Sequence, residues 1–147
     1  MGEGSDRGDA SGLTRFVDAQ DAGGAYDRAL AELRRGRKTS HWMWFVFPQI
    51  EGLGYSAMAR RYAISSLDEA RAYLAHPVLG PRLLACVDAL LEVEGRSAGE
   101  VLGPVDALKL RSSMTLFARA DPGEPRFARV LERYYDGEPD PQTLGRL

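Results

Sequence analysis

Lys38-Thr39-Ser40-His41-Trp42-Met43-Trp44-Phe45-Val46-Phe47-Pro48-Gln49 holds both tryptophans, two of the five phenylalanines and one of the two histidines of a 147-residue chain. Its unbroken apolar run, Trp42 to Phe47, suits a buried strand or a turn or two of helix, and periodicity alone does not separate them. Pro48 ends the run either way, because proline disfavours helical backbone at the residue before it. No other segment offers a convincing partner strand, so the stretch reads as helix and the chain as all-α. Large aromatic side chains bury the most apolar area per residue, which makes this stretch the expected keel of a core. Yet Trp N–H, His41 and Gln49 are polar groups that need partners when buried.

Working outward, helices follow from periodicity and punctuation. Leu13, Phe16 and Val17 anchor a first short helix that Gly23-Gly24 breaks, and Tyr26, Ala29, Leu30 and Leu33 recur at helical spacing until Gly36. After the loop Gly52-Leu53-Gly54, Ser56 caps a helix expected through Ile64. Ser66-Leu67-Asp68-Glu69 and Ser97-Ala98-Gly99-Glu100 have the capping-box pattern. The longest helix is expected from Val78 to Glu94, with Pro81 in its tolerant first turn and Gly95 as its stop. A further helix runs from about Val105 to Ala118, with Ala107, Leu110 and Met114 on its apolar side. The last substantial one runs from Pro125 to Tyr135, and Pro139 to Leu147 forms a tail that wraps back. His76 ends a helix where the dipole favours a cation, and Arg82 is placed to meet an anion; the alternative, which the residues favour, is a helix cap and a tight inter-helix turn. Residues 1–12, rich in Gly, Ser and Asp, read as a disordered tail, and 13–147 as a single multi-helical domain.

A hydrophobic fraction of 44% and a charged fraction of 27% are ordinary globular values. A formal charge of -2 argues against a protein built to coat nucleic acid. No apolar run reaches the roughly 18 residues a membrane span needs, and no signal peptide is recognised, so a cytoplasmic location is expected. The lone Cys86 has no disulfide partner and sits in an apolar helical run as a core residue. Two distant histidines without zinc-ligand spacing give no metal site, and no cofactor motif is present.

Two groups carry candidate chemistry. Lys38, Ser40, His41, Trp42, Trp44 and Gln49, beside Arg37, combine cations with aromatic rings, as a nucleotide requires for its phosphates and base. The alternative is that both tryptophans are core. In the second group Asp106, Lys109 and Ser113 align along one helix face, opposite the Ala107/Leu110/Met114 stripe, beside Arg111, Ser112 and Thr115. These hydroxyl residues are indifferent helix formers, which favours a site over a face tuned for stability. The alternative is a stabilising surface Asp–Lys pair.

The run Gly36 to Gln49, followed by Gly52-Leu53-Gly54, resembles the signature of the bacterial family catalogued as domain of unknown function 1810. So do Tyr73-Leu74-Ala75-His76-Pro77-Val78-Leu79-Gly80-Pro81-Arg82-Leu83 and Asp106-Ala107-Leu108-Lys109-Leu110-Arg111-Ser112-Ser113-Met114-Thr115-Leu116-Phe117, with Arg15 to Gln20 near the front. The resemblance covers Leu13 to Leu147 and implies a predominantly helical fold. A more distant similarity, from Arg111 to Leu131, is to the NADAR proteins, which cleave N-glycosidic bonds of ADP-ribosylated or phosphoribosylated compounds. Their catalytic carboxylate motif has no clear counterpart in this chain.

The expectation is therefore a small enzyme acting on a nucleotide- or ADP-ribose-like ligand by N-glycosidic hydrolysis. Glu51 or Asp106 would supply the carboxylate and His41 would pass a proton. Lys38, Lys109 and Arg111 would hold phosphate, and Trp42 or Trp44 would stack the base, with Ser40, Gln49, Ser112 and Ser113 as further ligand contacts. The alternative is a non-catalytic module that binds a nucleotide or a protein through the same aromatic and basic pocket. The partner on either reading is a small anionic ligand rather than nucleic acid or membrane.

Overall fold

The structure, a computed structural model, describes residues 12–147, so the tail expected at 1–12 lies outside the described residues except for Gly12. The helices are α1 (Thr14–Asp21), α2 (Ala25–Arg34), α3 (Met43–Val46), α4 (Ala57–Arg61), α5 (Leu67–Ala75), α6 (Leu79–Glu92), α7 (Ala98–Leu102), α8 (Pro104–Ala120), α9 (Pro125–Tyr135) and α10 (Pro141–Leu144). A 3-10 turn, Ala22–Gly24, joins α1 to α2. No β-strand occurs among the described residues beyond an isolated parallel bridge between Ile50 and Ile64, so the chain is all-α. No single helix among them is long and apolar enough to cross a membrane.

The aromatic stretch is helical for only four residues, Met43 to Val46. Helix α8 is the centre: α5, α7, α9 and α10 all pack on it, and α6 in turn packs on α2, α5 and α9. Surrounded in this way, α8 buries Leu110, Ser112, Ser113, Met114, Thr115, Leu116 and Phe117 in succession. The apolar stripe read from the sequence is thus the visible part of a helix sealed nearly all round over its second half.

A string of rings crosses the core. Phe127 meets Phe117 at 5.7 Å, Phe117 meets Tyr73 at 5.4 Å, Tyr73 meets Phe16 at 5.2 Å edge-on, and Phe16 meets Tyr62 at 5.8 Å. Tyr62 then meets Phe45 of α3 at 5.5 Å. Pairs in such geometry contribute about 0.5–1.5 kcal/mol each beyond area burial. Gln20, buried among them, donates to the Phe45 carbonyl at 2.8 Å and so ties α3 to α1.

The helix ends explain where expected boundaries shift. Ser56, Ser66 and Ser97 each accept an amide three residues on. At Ser97 the box closes, with the Glu100 carboxylate accepting the Ser97 amide at 2.8 Å. At Ser66 it does not close, because Glu69 takes the Ser65 amide and faces Arg15. Helix α4 stops at Arg61, short of Ile64, because the Ile64 amide and carbonyl are engaged by Gln49 and Glu51. Helix α6 ends at Glu92 rather than at Glu94, and its Leu90 and Leu91 carbonyls are taken by Tyr134 and Arg133 of α9.

At the end of α5, His76 acts as the helix cap that the sequence favours. Its Nδ1 accepts the amides of Val78 and Leu79, at 3.1 and 3.3 Å, and so caps the start of α6. Arg82 does meet an anion, but an internal one, Asp21 at 2.8 Å. Gly80 brings α6 against the last turn of α5 so closely that a Cβ would strike the Leu74 carbonyl. Cys86 is buried, and burial pushes its thiol up to about 12, as befits a packing residue.

Candidate functional site

The segment that enters the aromatic stretch is held by one carboxylate. Glu32, on α2, is fully buried and accepts four hydrogen bonds: from the Thr39 amide at 2.8 Å, the Ser40 amide at 3.0 Å, the Ser40 hydroxyl at 2.6 Å and the Trp42 indole N–H at 2.9 Å. Burial by itself pushes its carboxyl up, but these donors overcome that and hold it at about 2. The arrangement resembles an anion-binding nest, filled by the protein's own carboxylate. Ser40 and Trp42, expected to touch a ligand, are therefore committed to the fold.

Behind this loop lies a chain of charges and rings. Lys38 Nζ stands 5.1 Å over the buried Trp42 ring and 2.9 Å from Asp106 Oδ2 on α8. The other oxygen of Asp106 faces Lys109 Nζ at 3.3 Å, and Lys109 Nζ lies 4.5 Å over the Trp44 ring. The Asp106–Lys109 spacing is the ordinary helical i, i+3 pair, but Lys38 converts it into a triad that locks the loop before α3 onto α8.

Lys109 and Trp44 open into a cleft of about 520 Å³. One wall is the loop carrying Gln49, Leu53, Tyr55 and Ser56, the floor is the first half of α8, and the far wall is the C-terminal segment with Asp140 and Gln142. The rim is unusually apolar for surface: Tyr55 is 78% exposed, Leu108 67% and Val105 65%, the most exposed large hydrophobics among the described residues. Isolated exposed apolar residues are unremarkable, but three of them converge on this cleft, which makes it the candidate site.

The far wall is fastened by hydroxyls of α8. Arg111 donates to the carbonyls of Glu138 and Pro139, both at 2.9 Å. Thr115 Oγ1 accepts the Asp140 amide at 2.9 Å and donates to the Arg111 carbonyl at 2.8 Å. Thr143 donates its hydroxyl proton to Asp140 Oδ2 at 2.6 Å, so in the Ser112–Thr143 contact at 2.8 Å it is Ser112 that donates. The same Asp140 oxygen accepts the Thr143 amide at 3.1 Å and so caps α10. Beyond it, Arg146 lies over Gly52, whose φ of 93° and missing side chain leave room for the guanidinium.

The expected site residues therefore separate. Trp44, Gln49, Lys109, Arg111 and Ser112 border the cleft. Asp106 and Lys38 stand behind Lys109 rather than on the lining. Ser113, expected on an exposed face, is wholly buried, and its hydroxyl has no hydrogen-bond partner among the described residues. It lies on nearly the same face as Lys109 but in the second half of α8, where the helix is buried nearly all round. His41 is exposed but off the cleft. Glu51 lies outside it too, on a neighbouring depression with Arg60 and Arg146. Tyr55, Leu108, Asp140 and Gln142 were not singled out from sequence. Leu108, an apolar residue off the stripe of its helix, was the legible signal. Among the described residues no group of three or more His, Cys, Asp or Glu is placed to hold a metal ion.

The family model described as protein of unknown function (DUF1810) matches residues 10–147. The chain belongs to this family. Among solved structures, the chain is similar to the conserved hypothetical protein Rv1873 from Mycobacterium tuberculosis, whose crystal structure was determined at 1.38 Å. The two are 53% identical with a TM-score of 0.91, over 94% of this chain and 97% of that one. No curated protein matches the chain.

Proposed function

We propose that the cleft binds a small ligand combining a planar ring with an anionic group, as in a nucleoside monophosphate or a phosphoribosyl compound. The observation that carries this reading is the Lys109 ammonium seated on Trp44 inside a cleft of about 520 Å³, ringed by exposed Tyr55, Val105 and Leu108. The ring lies against Tyr55, Leu108 and the side of Trp44 that Lys109 leaves uncovered, since base–aromatic stacking favours such a platform. The anion meets Lys109, with the remaining guanidinium N–H groups of Arg111 as a second donor. Gln49 and Gln142 supply amides for polar edges of the ring or sugar. The reading carries with it the cytoplasmic setting expected from sequence.

An N-glycosidic hydrolase is the more demanding version. It requires a carboxylate facing the bound sugar to stabilise an oxocarbenium-like transition state. Asp140 supports that version better than Asp106 or Glu51, because it borders the cleft, although one of its oxygens holds Thr143, whereas Asp106 stands off the lining between two lysines.

The test is a thermal-shift panel of AMP, adenosine, ADP-ribose, NAD and phosphoribosyl compounds. A ligand at a hundred times its Kd stabilises the fold by about 2.7 kcal/mol, a shift of several degrees at this size. A shift with the wild type that Lys109→Ala and Trp44→Ala both remove supports the site, and product analysis on the same compound separates hydrolysis from binding. No shift with any of them defeats the reading.

A further inference from the structure

Lys38 does not border the cleft, yet it is joined to it by charge. Its side chain is nearly sealed, 9% exposed, against 23% for Lys109, and the two ammonium groups share the single carboxylate of Asp106. The three groups sum to one positive charge. Because Lys38 is shut away beneath the loop, the uncompensated charge is felt at Lys109, over the Trp44 ring. Take Lys38 away, and Asp106 with Lys109 becomes a neutral pair that offers an anion only a dipole.

We infer that Lys38 is a positioning residue that sets the charge of the cleft: by holding one oxygen of Asp106 it leaves Lys109 electrostatically free to attract an anionic group beside Trp44. The inference rests on the reading of the cleft as an anion site, but it also governs the potential at Trp44 when no ligand is bound. A merely structural Lys38 would fasten the loop to α8 and affect stability alone. Trp42 is 1% exposed, so Trp44 is the tryptophan a solvent quencher reaches, and it reports that potential directly.

The experiment compares fluorescence quenching by iodide, an anion, with quenching by acrylamide, which is neutral, on the full chain at constant low ionic strength. Trp44→Phe serves as the control that removes the accessible signal. Lys38→Met is expected to lower the iodide-to-acrylamide ratio about twofold, the effect of removing one unit charge that stands behind Asp106 in a water-like dielectric. Lys38→Arg keeps the charge and the ratio. Asp106→Asn, which leaves both ammonium groups, raises it. The double variant Lys38→Met/Asp106→Asn returns the ratio to the wild-type value, because Lys109 is again one uncompensated charge, and it folds because neutral groups of similar size commonly replace a buried pair without loss. An unchanged ratio in Lys38→Met, or no recovery in a double variant that melts like the wild type, overturns the inference. Titration with AMP and with adenosine is judged separately. If neither binds while the iodide ratio follows the charges, the ligand reading fails and the role of Lys38 stands. If AMP is preferred to adenosine and Lys38→Met keeps that preference, the role of Lys38 fails and the ligand reading stands.

Discussion

Glu32 accepts four donors from three residues of one loop, Thr39, Ser40 and Trp42, and its carboxyl is held at about 2 in the fold against an ordinary 4.5. A carboxyl whose value is lower folded than unfolded stabilises the protein wherever it is ionised in both states, and loses that contribution on protonation. Stability is therefore expected to fall by about 2–3 kcal/mol from this group as pH drops from 4.5 towards 2. Urea unfolding across that range should show a steeper decline for the wild type than for Glu32→Gln, which starts less stable; parallel curves would remove Glu32 as the cause. Asp106 makes a second residue-level case. Read as a surface helix pair, its replacement would cost a few tenths of a kcal/mol. Bound to a Lys38 side chain only 9% exposed, it leaves a nearly buried ammonium facing a neutral amide, and Asp106→Asn should cost about 1–3 kcal/mol in urea unfolding.

Among the elements, α10 and the segment before it depend on hydroxyls more than on apolar burial. Ser112 and Thr143 are both buried, and their hydroxyls join α8 to the C-terminal wall of the cleft at 2.8 Å. Ser112→Ala leaves the Thr143 hydroxyl without its donor while the helix bundle keeps its packing. Amide exchange is expected to quicken across residues 138–147 with little change elsewhere and with a global loss of about 1 kcal/mol. Uniform quickening along the chain would show instead that the wall and the bundle unfold together. The loop before α3 shows the same logic in reverse: its order comes from a carboxylate on α2, so a four-residue helix far too short to persist alone is held in place by its surroundings.

Across the whole molecule, the ring string from Phe127 to Phe45 runs through α9, α8, α5, α1 and α3, with Tyr62 in the connection after α4. Phe117 is its hinge between the α8–α9 contact and the rest. Phe117→Ala is expected to cost about 3–5 kcal/mol and to lower the melting temperature by many degrees, since neighbours on two elements cannot both collapse into the space. The cleft lies at the edge of this core, between the loop that α3 feeds and the segment that α9 releases. Both its walls are therefore set by helix packing that no ligand contacts.

Local chemistry determined much of this protein in advance. Serine caps at Ser56, Ser66 and Ser97, prolines at first helical turns and the apolar stripes specify short helices, because propensity and capping act within a few residues. Trp44, Gln49, Lys109 and Arg111 were likewise visible as side chains suited to a ligand. Only the tertiary structure decided which of their neighbours reach the cleft. Trp42 and Ser40 were claimed by Glu32, a residue with no sequence signal, because a buried carboxylate draws donors from wherever the chain brings them. Ser113 went inward because α8 is enclosed by α5, α9 and α10, and periodicity on one helix carries no information about how many partners cover it. Lys38 went behind Asp106 because an ammonium that loses water must find a carboxylate, and the nearest was on a helix far along the chain.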